Sequence, residues 1–175
     1  MFKKIITMLK LVLLIVIIYL FQIFVVDGRT LFGVKPNFIL ICVIVVSLWY
    51  GMYCGSFFAF CIGVLTDLIF INSMGVYTIA YTIVGLIVGF LNTKYIKENK
   101  MSLVYTTLIA TAIFEICQYF LYLFTMGVSV NILYLIKQII LASLLNIVCV
   151  YIFYGMVKRI ISYFDLRLNV KNLEF

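Results

Sequence analysis

Three charged side chains lie inside long apolar stretches of the chain, and they are the first candidates for chemistry. They are Asp67, Glu115 and Lys137. A carboxyl group held away from water can act as a general acid or base, carry a proton or bind a cation. The sequence has no histidine, the commonest general base and metal ligand. No serine or cysteine stands beside an obvious base and no phosphate-binding glycine loop is present, so we predict no catalytic, cofactor or metal site.

Glu115 needs a compensating interaction if its apolar stretch is a membrane helix. A charge at the centre of such a helix costs roughly 2.5–3.5 kcal/mol, whereas each Leu, Ile, Phe or Val contributes about −0.3 to −0.6 kcal/mol. Two hypotheses for Glu115 stay open: a structural hydrogen bond in the neutral form, and a role in ion or proton binding. Gln118, one helical turn further on, is its predicted companion on the same face.

Small residues recur every four positions in two neighbouring apolar stretches. In lipid, helix backbones approach closely at such residues, because packing rather than the hydrophobic effect drives association. A short turn joins the two stretches, so we predict an antiparallel pair in which Asp67 lies near the tyrosines after the turn, within reach of their hydroxyls. The first stretch has Gly51, Gly55, Ala59 and Gly63, then Asp67, and the second has Tyr77, Tyr81, Gly85 and Gly89. The alternative is that these glycines only reflect the usual composition of membrane helices.

The composition explains why these elements are expected in a membrane. Of 175 residues, 67% are hydrophobic and 11% are charged, and the mean hydropathy is +1.28. A soluble domain is about half apolar and roughly a quarter charged, and a chain of this length could not hide so much apolar surface from water. We therefore predict an all-α polytopic membrane protein.

The net charge of +7 does not indicate nucleic-acid binding. The basic residues form short clusters between the apolar stretches, as topology signals do. The five cysteines all fall inside apolar stretches without a Cys-x-x-Cys pair, which is typical of small packing residues. Membrane lipid, and not nucleic acid, is the predicted environment.

Six membrane spans account for the apolar stretches, since each span needs about 20 residues. The weakest division falls at Tyr50–Gly51, where we predict a tight turn because a single helix from Pro36 to Ile71 would be too long for the bilayer. The predicted spans are Ile5–Val26, Pro36–Tyr50, Met52–Ile71, Val76–Leu91, Ser102–Thr125 and Ile132–Val157. They form one transmembrane domain over residues 1–157, followed by a short basic tail over residues 158–175.

The orientation follows from the lysine and arginine residues that flank the spans. With the N-terminus inside, the inner segments carry most of these cations and the outer segments carry Arg29 and Lys35. Both termini are therefore predicted in the cytoplasm. The inner cations are Lys3, Lys4, Lys10, Lys94, Lys97, Lys100, Lys158, Arg159, Arg167 and Lys171.

Two further expectations depend on this topology. Asp67 and Lys137 should lie at similar depths, so they are predicted to pair inside the bundle, unless Lys137 extends its ammonium group to the outer interface. In the tail, Ile160, Ile161 and Phe164 recur at helical spacing. A short helix on the inner leaflet and a frayed helix end are both open for this segment.

The region from Pro36 to Gly89 resembles the MreD family, the membrane subunit of the bacterial rod-shape machinery. The resemblance rests on Val34-Lys-Pro-Asn37, Gly51-Met-Tyr-Cys-Gly55, Gly63-Val-Leu-Thr-Asp67-Leu68, Met74-Gly75, Tyr81 and Gly85-Leu-Ile-Val-Gly89. The length, the number of spans and the basic loop after the fourth span are also similar.

This resemblance implies a non-enzymatic protein of the bacterial cytoplasmic membrane. Its expected partners are an MreC-like bitopic membrane protein, the cytoskeletal protein MreB and other proteins of cell-wall elongation. Its expected role is to help couple lateral peptidoglycan synthesis to cell shape. The resemblance also implies a fold similar to the substrate-binding subunits of energy-coupling-factor vitamin transporters.

That similarity of fold supplies an alternative function, a vitamin-binding transporter subunit. Such subunits typically carry Ala-x-x-x-Ala on the first helix, and the first span here contains no alanine. A polar lining for an outer cavity is also missing beyond Asp67, Asn72 and Lys137. An intramembrane enzyme that uses Asp67 or Glu115 is a further alternative.

Overall fold

The computed structural model describes residues 19–20, 22, 33–69, 75–91, 100–126 and 131–168, with side chains to 124 in the third helix and 151 in the fourth. This part of the chain is helical, as predicted. Its four helices are α1 (Phe38–Ile69), α2 (Val76–Phe90), α3 (Lys100–Met126) and α4 (Ile132–Leu168). Most of the first predicted span lies outside the described residues, which include only 19, 20 and 22 of it. Residues 72–74 of the predicted turn, the basic loop after α2 and the end of the tail also lie outside them.

The helix α1 consists of two segments that fold back on each other at Gly51. Gly51 has φ 81° and ψ −174°, a backbone conformation that only glycine adopts readily. A β-carbon added to Gly55 would lie 2.5 Å from the Cα atom of Ser47. Along a straight helix these two residues would be about 12 Å apart, at 1.5 Å per residue. The chain therefore reverses at Gly51, where the turn was predicted.

The helix α2 forms the third member of a central antiparallel bundle with the two segments of α1. Gly75 precedes it with φ 81°, so the chain enters α2 through a left-handed residue. The core lies between these helices and includes Leu40, Ile44, Leu48 and Val84, all fully buried. Phe114 and Ala110 extend this core to α3, and Val150 extends it to α4.

The helices α3 and α4 pack beside this central bundle and leave wide apolar faces open. Within the described residues three helices are long and apolar enough to cross a membrane, at Phe38–Ile69, Met101–Phe124 and Ile132–Tyr151. In an 18-residue apolar stretch of each helix, half of the residues are buried in α1, against 22% in α3 and 17% in α4. These helices are those of a membrane helix bundle, and the count of six spans stays a prediction.

The predicted helix bounds are close to the observed ones except at the end of α4. The helices α2 and α3 begin and end within two residues of the predicted spans, and α4 begins at Ile132. The helix α4 continues to Leu168, beyond the predicted span end at Val157, and the span end itself stays a prediction. No proline follows Val157, and apolar residues recur there at helical spacing, so nothing in this segment stops a helix.

Candidate functional site

Asp67 caps the beginning of α2 with hydrogen bonds. Its Oδ1 atom accepts the backbone N–H of Tyr77 at 3.1 Å, and its Oδ2 atom accepts the N–H of Thr78 at 2.8 Å and the Thr78 hydroxyl at 2.6 Å. The first N–H groups of a helix lack partners within the helix, so a carboxylate stabilises them. The sequence predicted that Asp67 lies near Tyr77 or Tyr81, within reach of their hydroxyl groups. The observed donors to Asp67 are instead two backbone N–H groups and the Thr78 hydroxyl, and the Tyr81 hydroxyl bonds to Asn37.

The small residues of the two stretches bring the helix backbones of α1 and α2 together. A β-carbon on Gly85 would lie 2.8 Å from that of Ala59 and 3.1 Å from the Gly55 carbonyl oxygen. On Gly89 it would lie 2.5 Å from the Cα atom of Met52 and 3.0 Å from the carbonyl carbon of Gly51. Any side chain at these two glycines would therefore force the helices apart.

Gly63 marks the end of the same contact that lies next to the start of α2. A β-carbon there would meet the Cα atom of Thr78, next to the hydrogen bonds of Asp67. The close approach of the two backbones and the carboxylate at the helix start thus belong to one contact, and each positions the other.

A buried polar junction joins four parts of the chain around Asn37. The backbone N–H of Asn37 donates to Asn146 Oδ1 on α4 at 2.8 Å, and its side-chain amide lies 3.1 Å from the Tyr81 hydroxyl on α2. Asn146 in turn donates to the Thr111 hydroxyl on α3 at 3.2 Å. Gln22 accepts the next N–H, that of Phe38, at 2.9 Å. The junction satisfies the beginning of α1 away from water and ties it to every other described helix.

Aromatic rings continue this junction into the core. The ring of Tyr81 stacks on that of Phe114 with centroids 4.7 Å apart, and Tyr77 lies 6.1 Å from Tyr81. Tyr81 is 1% exposed. Tyr77 and Tyr81 were predicted from the sequence as polar residues inside the membrane, whereas Asn146, Thr111 and Gln22 were not. Only their polar side chains within apolar stretches could have indicated these three residues.

Glu115 contacts α4 rather than a neighbour on its own helix. Its Oε2 atom accepts a hydrogen bond from the Gln138 side chain at 2.9 Å, in a half-buried position on the seam between α3 and α4. Gln118, the predicted companion, has a buried side-chain nitrogen without a partner among the described residues. The predicted pair of Glu115 and Gln118 is therefore replaced by a pair across the two helices.

Lys137 is exposed on α4, and the structure shows no ion pair between it and Asp67 among the described side chains. Both oxygens of Asp67 are instead used at the start of α2. The exposed position agrees with the alternative in which Lys137 extends toward the interface.

Taken together, these groups pack helices and satisfy hydrogen bonds inside an apolar medium. Asp67 and Glu115 are both half-buried, but both oxygens of Asp67 accept hydrogen bonds, whereas only one oxygen of Glu115 does. Glu115 therefore keeps a free acceptor oxygen at the seam between α3 and α4.

A model of the family described as rod shape-determining protein MreD matches residues 2–160. The match covers every residue of the sites described above. No curated protein and no solved structure matches the chain. The expected similarity of fold to energy-coupling-factor transporter subunits accordingly stays a prediction.

Proposed function

The chain belongs to the MreD family, whose members are membrane proteins of cell-shape determination, and from this premise we propose that it is a non-catalytic scaffold of the bacterial elongation machinery. In this role it lies in the cytoplasmic membrane as a multi-pass protein. It binds an MreC-like bitopic protein and helps couple lateral peptidoglycan synthesis to the MreB cytoskeleton. The single observation that carries the proposal is the family match over residues 2–160.

The packing of the central helices supports a scaffold role. A scaffold must hold its binding surface in one shape, and close-packed helix interfaces resist deformation. The contacts at Gly63, Gly85 and Gly89 leave no room for the α1–α2 interface to shift. The Asn37 junction then ties this rigid pair to α3 and α4 through Asn146 and Thr111.

The open faces of α3 and α4 support a role in binding. In lipid, helices associate through close packing and a few polar contacts, so a single helix of a bitopic partner needs an accessible helix face. The outer helices provide such faces, since a smaller share of their residues is buried than in α1.

Retention of the partner from detergent tests the proposal. The affinity-tagged protein should retain an MreC-like protein in stoichiometric amounts, and its depletion from a rod-shaped host should give round or widened cells that re-expression restores. A host that keeps its shape on depletion, together with a preparation that retains no MreC-like protein, would overturn the proposal. Uptake of a labelled vitamin that depends on this chain would instead identify a transporter subunit.

A further inference from the structure

The carboxyl group of Glu115 is incompletely satisfied although it lies near the middle of an apolar helix. It stands 14 residues after Met101 and 9 before Phe124, which are the ends of the part of α3 that is long and apolar enough to cross a membrane. One of its oxygens accepts the Gln138 amide, and no other hydrogen bond or ion pair to Glu115 is present among the described residues. Each polar group left without a partner in hydrocarbon costs several kcal/mol, so lipid acyl chains are a poor cover for this position.

Glu115 lies on the seam of α3 and α4 among exposed apolar side chains, and this seam, with Glu115, Gln138, Leu108 and Tyr134, is called the groove. Leu108 lies seven residues before Glu115 on the same helix face, and Tyr134 lies one turn before Gln138. Both are exposed, at 44% and 54%. Because the two helices are antiparallel neighbours, these side chains bracket the polar pair from opposite ends.

The free oxygen of Glu115 calls for a side chain that can donate a hydrogen bond to it. Hydroxyl and carboxamide groups can do so. The side-chain nitrogen of Gln118, one turn after Glu115, also has no acceptor among the described groups, but it is buried by the chain itself and is not open to a partner.

We propose that the groove containing Glu115 and Gln138 is the docking surface for one transmembrane helix that carries a hydroxyl or carboxamide side chain at mid-membrane. The inference rests on the proposed function, since it assigns the partner's single helix to this groove. Binding covers Glu115 with protein and completes its hydrogen bonds. The apolar side chains on either side supply the packing.

A second copy of this chain is a less suitable occupant. A two-fold symmetric contact centred on this groove would place two Glu115 carboxyl groups close together. Like charges at short distance inside a membrane are costly, because the surroundings screen them weakly.

Photo-crosslinking in cells that also express the MreC-like protein tests the groove directly. A photoreactive residue at position 108 or 134 should give an adduct with the transmembrane segment of that protein, whereas position 57 should not. Phe57 is a suitable control because it is 71% exposed on α1, away from the groove. Adducts of the chain with itself, or adducts with lipid alone, at positions 108 and 134 would overturn the inference.

Substitution of Glu115 measures the polar contact. Glu115→Leu should reduce retention of the partner roughly three- to fifteen-fold, the range measured for single hydrogen bonds between membrane helices. Glu115→Gln should keep most of the binding, since its amide oxygen still accepts a hydrogen bond, and Phe57→Leu should leave it unchanged. Unaltered retention with Glu115→Leu would overturn the inference and leave the proposed function intact, whereas failure of the unmodified protein to retain the partner would contradict the proposed function itself.

Discussion

Asp67 and Glu115, the two carboxyl groups within the predicted spans, differ in how their oxygens are used, and this difference separates their roles. Both oxygens of Asp67 accept hydrogen bonds at the start of α2, from Tyr77 and Thr78. Glu115 accepts one bond, from Gln138. Asp67 therefore has little capacity left for a proton, a cation or a partner, and its role is to fix the entry of the chain into α2. Glu115 keeps that capacity.

Replacement of Asp67 should lower stability in a graded way. Asp67→Ala leaves the N–H groups of Tyr77 and Thr78 without an acceptor and should cost about 1–2 kcal/mol, as the loss of a helix cap does. Asp67→Asn retains one acceptor oxygen and should fall between the alanine variant and the unmodified protein. The measurement is the thermal unfolding midpoint in detergent.

Thr82→Ala is the matched control for this series. The Thr82 hydroxyl donates to the Thr78 carbonyl oxygen within α2, at 2.6 Å, so its loss breaks no contact between helices. Its midpoint should stay close to that of the unmodified protein. An Asp67→Ala variant as stable as Thr82→Ala would refute the capping role.

Residue types indicated which side chains matter, but not their partners. Asp67, Tyr81 and Glu115 stand out in the sequence because polar groups are expensive inside apolar helices. Their partners depend on how each helix is rotated about its axis, which spacing along one stretch does not determine. Glu115 thus contacts Gln138 across the seam instead of Gln118. Asp67 contacts backbone N–H groups, which every helix start offers regardless of its residues.

At the scale of elements, a close backbone approach links the end of α2 to the turn at Gly51. The site of a β-carbon on Gly89 lies 2.5 Å from Met52 Cα and 2.8 Å from Met52 N, and both are backbone atoms that cannot rotate away. The turn and the end of α2 are therefore packed as one unit. This unit keeps the two segments of α1 from opening.

Gly89→Ala should destabilise the bundle by about 1–3 kcal/mol, because one added methyl group overpacks a backbone contact. Unfolding in detergent with a chemical or thermal denaturant measures the effect. Ile87→Leu, on the same helix with a half-exposed side chain, conserves volume and should be neutral. Equal stability of the two variants would contradict the close approach.

The elements themselves were largely predictable, since long apolar stretches with turn residues between them define helices strongly. The turn at Gly51 was also predicted, because a helix from Pro36 to Ile71 would exceed the bilayer. The extent of α4 beyond Val157 was left open, because the span was assigned from the apolar stretch and not from any residue that stops a helix. Helical hydrogen bonds continue past a membrane boundary when no proline intervenes.

For the whole molecule, the reversal at Gly51 determines which side of the membrane each later segment faces. The first segment of α1, Phe38–Tyr50, has 13 residues and is about 20 Å long, less than the roughly 30 Å hydrocarbon core. Its beginning therefore lies below the outer surface if Gly51 is at the inner surface. This position explains why Gln22 and Asn146 supply side-chain acceptors there, where water is absent.

The same reversal makes the orientation testable. Truncations fused to a reporter that is active only outside the cell should be active when fused at residue 73 or 128 and inactive at 51 or 98. If the chain crossed once between residues 36 and 71, the results at 73 and 98 would be exchanged. The loop with Lys94, Lys97 and Lys100 would then face outward, against the usual retention of cations on the inner side. Activity at 98 would therefore show that the segments of α1 do not each cross the membrane.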